Sequence, residues 1–181
     1  YEVYAISRSK QISDDNIIWI QSDIESLDKT LNRKIEVEFV IHLAEMTLIS
    51  KVLDSLNNVK RVIAFSSTSA VSKISSKNIK DRDLAIDLQS AENYFKNHCD
   101  EGNIRWTIFR PTLIYGAGMD QNVAFISGFI EKYRFFPMLG EGSGLRQPVH
   151  AYDLAKACLL SIENKKTFKK TYNLTGADTL E

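Results

Sequence analysis

The 181-residue chain has only two cysteines, three histidines and no excess of either charge. Cys99 and Cys158 are too few for a disulfide framework and read as free, buried or half-buried thiols, which fits a reducing cytoplasm. The 23 basic and 23 acidic residues cancel. Without a polybasic stretch, neither nucleic acid nor an anionic membrane is an expected partner. No apolar run approaches the roughly 20 residues that a membrane span requires. The histidines have no carboxylates clustered at ligand spacing, so no metal site is expected. Repeats and low-complexity segments are absent. The first residues already read as a strand, so no signal peptide is expected.

What is present is the composition of a globular domain, with 44% hydrophobic and 25% charged residues, enough for one real core. Short apolar runs alternate with helical patterns, which argues for an α/β fold with a parallel sheet. Strands are expected over residues 1–7, 17–21, 38–43, 60–65, 105–110 and 171–174. Helices are expected over 26–33, 47–56, 78–98, 122–133 and 151–163. The run Phe39, Val40, Ile41 and Leu43 is nearly continuous, as for a strand buried on both faces. In the longest helix Ile79, Leu84, Leu88, Ala91 and Phe95 fall near one face.

Three stretches carry a family resemblance. Residues 62–71 read V-I-A-F-S-S-T-S-A-V, residues 109–118 read F-R-P-T-L-I-Y-G-A-G, and residues 145–155 read L-R-Q-P-V-H-A-Y-D-L-A. In this order they resemble the extended or atypical short-chain dehydrogenase/reductases, the nucleotide-sugar epimerases and dehydratases. The resemblance implies an α/β, Rossmann-type, doubly wound parallel sheet with part of a small C-terminal substrate lobe. It implies one NAD(P)-binding domain over residues 1–181, with 134–150 as a loop of that lobe. The opening E-V-Y-A-I-S-R resembles the second strand of such a sheet. The central first strand and its glycine-rich pyrophosphate loop are therefore expected upstream.

The same resemblance implies the cofactor residues. Arg8, after the strand at residues 1–7, suits the 2′-phosphate of NADP better than the 2′-hydroxyl of NAD, and Ser7 adds a hydroxyl. The alternative for Arg8 is a solvated strand end. Asp23 resembles an adenine-contacting aspartate, or equally a helix N-cap. His42-Leu43-Ala44 resembles the H-L-A strand end, where Leu43 and Ala44 approach the ribose and His42 bonds locally. Ser66, Ser67 and Thr68 end the next strand at the ligand-binding edge, with Thr68 matching the catalytic Ser/Thr. Turn chemistry is the alternative there. Arg110, Pro111 and Thr112 would line the nicotinamide side.

One part is missing. The family carries Tyr-x-x-x-Lys on the long helix, with a glutamate four residues later. Glu92 matches that glutamate, so the Tyr and Lys positions read Leu84 and Leu88. Leucine neither transfers a proton nor bonds a ribose hydroxyl. Lys73 and Tyr115 are the conceivable replacements. On the substrate side Asn122 matches a polar substrate contact or a helix cap, and Arg146 matches a contact to a diphosphate or else pairs with a nearby carboxylate. Two functions follow: an NAD(P)-dependent epimerase- or dehydratase-like enzyme on a nucleotide sugar, or a non-catalytic NADP-binding sensor or assembly protein. A homodimer through the long helix is a modest expectation.

Overall fold

The computed structural model describes residues 2–13, 16–27, 36–116, 123–135 and 147–179. The central unit is a four-stranded parallel sheet of β3 (Phe39–His42), β4 (Arg61–Phe65), β5 (Arg105–Pro111) and β8 (Lys170–Leu174), in that spatial order. A separate parallel pair joins β1 (Val3–Ser7) to β2 (Ile17–Gln21). A third, very short pair joins β6 (Ile114–Tyr115) to β7 (Val149–His150).

All five residues of β4 are buried, because helices cover both faces of the sheet. Successive side chains of a strand point to opposite faces, and β4 divides accordingly. Val62 and Ala64 join a core with Met46, Ile49, Leu53, Leu88, Phe95 and Trp106. This side is covered by α1 (Ile49–Ser55) and α3 (Ile79–Glu101). Ile63 and Phe65 join Phe109, Val149, Leu154 and Cys158 beneath α5 (Ala151–Ser161). Phe95 meets Trp106 edge-on, with ring centroids 6.1 Å apart. Truncating a fully buried phenylalanine of this kind costs about 3–5 kcal/mol.

Two expectations about burial are corrected. β3 is not buried on both faces, since Phe39 and Ile41 are 36% and 40% exposed. Among the described residues it lies at the edge of its sheet and pairs with β4 alone. On α3 the buried face is Ala85, Leu88, Glu92, Phe95 and Cys99, at spacings of three, four, three and four. Ile79 and Leu84 lie off that face and are exposed. The helix begins where the Asn78 side chain accepts the Lys80 amide at 3.0 Å.

A smaller core ties the β1–β2 pair to the main sheet. Leu27 and Val52 are buried there, with Ile20, Ile24, Val40 and Leu56 packed against them. Among the described residues no strand pairing joins β1 to β3, so each has an open edge. Most of the helix expected over 26–33 lies outside the described residues; what precedes it is a one-turn 3-10 helix, Ile24–Ser26. The short helix α2 (Ser69–Ser72) was not anticipated. The helix expected over 122–133 is α4 (Val123–Tyr133), whose Phe125, Ile130 and Tyr133 are exposed. Phe135 is also exposed and packs edge-on against Phe129.

Candidate functional site at the carboxyl edge of the sheet

In open α/β sheets ligands bind beyond the carboxyl ends of the strands. Register aligns those ends here, with His42 opposite Ala64, Phe65 opposite Phe109 and Pro111 opposite Leu174. Ser7 likewise lies opposite Gln21. His42-Leu43-Ala44, Ser66-Ser67-Thr68 and Arg110-Pro111-Thr112 therefore share one edge of the main sheet.

At the end of β1 the Ser7 hydroxyl accepts the Ser9 amide at 3.2 Å, and Gln21 Nε2 donates to the Arg8 carbonyl at 3.1 Å. The Arg8 side chain is exposed and makes no ion pair among the described residues. Asp23 caps the 3-10 turn, its carboxylate accepting the Glu25 amide at 3.1 Å. At the end of β3, Leu43 is 71% exposed, Ala44 is half-buried and His42 is buried. His42 Nε2 donates to the Glu45 carbonyl at 3.1 Å. Burial pushes the His42 pKa down, and that carbonyl bond only partly offsets it.

The turn after β4 is held by its own polar groups. Thr68 sends both its amide and its hydroxyl to the Pro111 carbonyl, at 3.2 and 3.3 Å. The Ser67 hydroxyl accepts the Ser69 amide at 3.1 Å. Thr112 donates its amide to the Leu174 carbonyl at 3.0 Å and its hydroxyl to the Gln147 carbonyl. Thr68 and Thr112 thus bind main chain here, and Pro111 is buried.

The strongest electrostatic feature lies just beneath this edge. Glu92, 1% exposed, accepts Nε of Arg110 at 2.8 Å, and the second guanidinium nitrogen bonds its other oxygen. Lys96 Nζ is 3.7 Å from the same carboxylate. The buried Ser66 hydroxyl has no well-formed hydrogen bond, yet it lies near enough to Glu92 to favour the charged form. Burial raises the carboxyl's pKa, but the Arg110 bonds, Ser66 and the two cations outweigh it. Glu92 is held below the usual carboxylate range. Glu92 and Arg110 were each singled out from the sequence; their pairing was not, because 18 residues and a change of element separate them.

Each candidate replacement for the relay has a neighbour of its own. Lys73 Nζ pairs with Asp81 at 2.7 Å. Tyr115 stands edge-on to His150, with ring centroids 5.0 Å apart. His150 Nδ1 accepts the Tyr152 amide at 3.1 Å and so caps α5. Gly116 beside them has φ of 109°, and a Cβ there would lie 2.5 Å from His150 Nε2. Only glycine fits that site. Asn122 and Arg146 lie outside the described residues. Among the described residues no three His, Cys, Asp or Glu side chains are grouped to hold a metal, and no helix is long and apolar enough to cross a membrane.

Comparison with known proteins decides the family. Residues 45–175 match the model of the NAD dependent epimerase/dehydratase family. The chain belongs to that family. Its fold is shared by UDP-glucose 4-epimerase of Thermotoga maritima, solved with UDP-glucose. That similarity has a TM-score of 0.77 at 18% identity, over 99% of this chain and 71% of that one. It is also shared by UDP-glucuronic acid 4-epimerase of Bacillus cereus, solved with UDP-glucuronic acid and NAD. There the TM-score is 0.72 at 17% identity, over 92% of this chain and 62% of that one. A curated relative is the mitochondrial NADH dehydrogenase [ubiquinone] 1 alpha subcomplex subunit 9 of Arabidopsis thaliana. It is 36% identical over 73 residues, which are 40% of this chain and 18% of the relative's length.

Proposed function

We propose that the carboxyl edge holds a dinucleotide, and that this family member binds it without the Tyr/Lys relay. The observation that carries this reading is the buried Glu92–Arg110 pair. It fixes the rotation of α3. One turn before Glu92, Leu88 is packed into the core at 6% exposure, and Leu84 is a further turn away. By the family's spacing these are the Lys and Tyr positions, and neither side chain has a proton to give or a donor for a ribose.

The residues present fit the adenosine half of a dinucleotide better than the nicotinamide half. Ser7, Arg8 and Asp23 supply polar groups at the ends of β1 and β2, while Leu43 and Ala44 supply an uncharged wall. Ser66, Ser67, Arg110, Pro111 and Thr112 would form the nicotinamide side by structure rather than by proton transfer. A bound dinucleotide supplies hydride exchange; the chain's own residues supply anchoring. The exposed Arg8, which makes no ion pair among the described residues, supports NADP over NAD, since a guanidinium pairs well with a 2′-phosphate. The open edges of β1 and β3 support a missing central strand between them. Residues 1–181 would then be most of one NAD(P)-binding domain, with 134–150 reaching toward a substrate lobe. The curated relative is named as a subunit of a larger enzyme, which supports an assembly or sensor role.

A second reading keeps catalysis. Several solved neighbours hold UDP-sugars, which supports a nucleotide-sugar substrate oriented by Thr68 and bound by Asn122 and Arg146. A homodimer and a cytoplasmic location belong to this proposal as well. Calorimetric titration of the full-length protein with NADPH and NADH tests the binding claim. Saturable binding, tighter for NADPH and losing that preference in Arg8→Ala, is the expected result; no binding to either refutes it. Turnover of UDP-glucose that disappears in Thr68→Ala would overturn the non-catalytic reading.

A further inference from the structure

We propose that His42 is a proton-sensitive latch on the β3 side of the dinucleotide site. The proposal rests on the binding reading above. His42 is the last residue of β3 and is 3% exposed. Its ring spans a tight turn, donating from Nε2 to the Glu45 carbonyl three residues on, at 3.1 Å. Leu43 and Ala44, the two residues inside that turn, are those assigned to the cofactor wall. Immediately after it, Met46 and Ile49 enter the main core. The ring therefore fastens the end of β3 to a rigid anchor.

The surroundings make a charged ring costly. Across the ladder stands Ala64, flanked by Ile63 and Phe65. The Glu45 side chain is exposed, and the influences that move the ring's titration are burial and the Glu45 carbonyl. Among the described residues no charged side chain of β4, α1 or α3 is a cause of the shift. An imidazolium without a carboxylate partner is strongly disfavoured in such a place. Opening residues 42–45 lets the ring reach water and accept its proton. Acid therefore favours the open turn, and the open turn disturbs Leu43 and Ala44. By linkage, a ligand that needs the closed turn expels the proton, and the proton weakens the ligand.

The test follows NADPH affinity of the full-length protein from pH 8 to pH 5, in wild type and in His42→Asn. Asparagine donates to the Glu45 carbonyl but does not titrate. Wild type is expected to lose affinity by about fivefold or more, within the ordinary span of coupling between sites. His42→Asn should lose distinctly less. Equal losses in both proteins overturn the proposal. Hydrogen exchange of the ligand-free protein supplies a second readout. Protection of the amides of residues 43–46 should fall on acidification in wild type, relative to the rest of the sheet. Uniform protection across the sheet at both pH values also overturns it. If NADPH fails to bind even at pH 8, the binding reading fails while the exchange measurement still decides the latch. Should His42→Asn not fold, the ring's own NMR titration in wild type serves: an ordinary or raised midpoint refutes a latch.

Discussion

Replacing Arg110 by methionine strips the Glu92 carboxylate of its bidentate partner while keeping a side chain of similar length. Glu92 is 1% exposed, whereas the Arg110 side chain is 17% exposed. The two halves of the pair are therefore unequal. A carboxylate left behind in Arg110→Met has Lys96 at 3.7 Å as its remaining cation and must be paid for by desolvation or protonation. Breaking a buried pair from one side costs about 3–5 kcal/mol. For a domain of this size that is a fall in melting temperature of about 6–20 °C. Glu92→Gln should cost less, because Arg110 turns partly to water and the amide still accepts a hydrogen bond. The double variant should cost less than the sum of the singles, with a coupling of about 0.5–3 kcal/mol. The pH dependence follows from the same pair. The folded-state pKa of Glu92 lies below its unfolded value. Its stabilisation is thus present above the unfolded pKa and is lost as pH falls through the folded one. Wild type should lose stability below about pH 4.5 more steeply than Glu92→Gln. Urea unfolding of the four proteins at pH 7 and pH 4 reads all of this. Costs under 1 kcal/mol for both singles, adding without coupling, would refute the reasoning.

Gly116→Ala combines a left-handed backbone with a Cβ 2.5 Å from His150 Nε2. It should lower stability by at least about 1–3 kcal/mol, read by thermal unfolding, whereas Gly128→Ala, with open space around it, should not. Burial pushes the Cys99 thiol up to about 12 and the Cys158 thiol up to about 11. Neither should react with a thiol reagent in the native protein at pH 8, and both should react after denaturation.

The order of strands and helices was legible because each short apolar run and each helical stripe reports its own period. The strand at residues 17–21 is β2 to the residue, and the buried free thiols were legible from their number alone. What a segment cannot report is its neighbour. Phe39 to Leu43 reads as doubly buried by composition, yet Phe39 and Ile41 are exposed, on a strand whose outer edge has no paired neighbour among the described residues. Asp23 offered two equal readings, and its carboxylate caps the 3-10 turn, a contact that does not test a ligand role. The face of α3 was misjudged by counting apolar residues. The true stripe passes through Glu92, a charged residue that belongs inside only because Arg110 arrives from β5. Thr68 matched a catalytic hydroxyl, but the main-chain carbonyl that holds it comes from 43 residues away.

Under the proposed non-catalytic reading, that buried pair would explain how the family's fold persists without the relay. On α3 the register-setting residue and the two relay positions are successive turns of one helix, but they depend on different partners. Glu92 answers to Arg110 at the end of β5, and the core answers to Ala85, Leu88, Phe95 and Cys99. A lysine at position 88 would need a polar partner to offset its charge, whereas leucine adds apolar contact with the same core. Once proton transfer is not demanded, substitution there is favoured by packing and leaves the helix rotation unchanged. At position 84 the exposed side chain is under little packing constraint, so on that reading leucine in place of tyrosine would cost the fold little. On that reading the carboxyl edge would keep its shape, and with it the capacity to bind, without the relay.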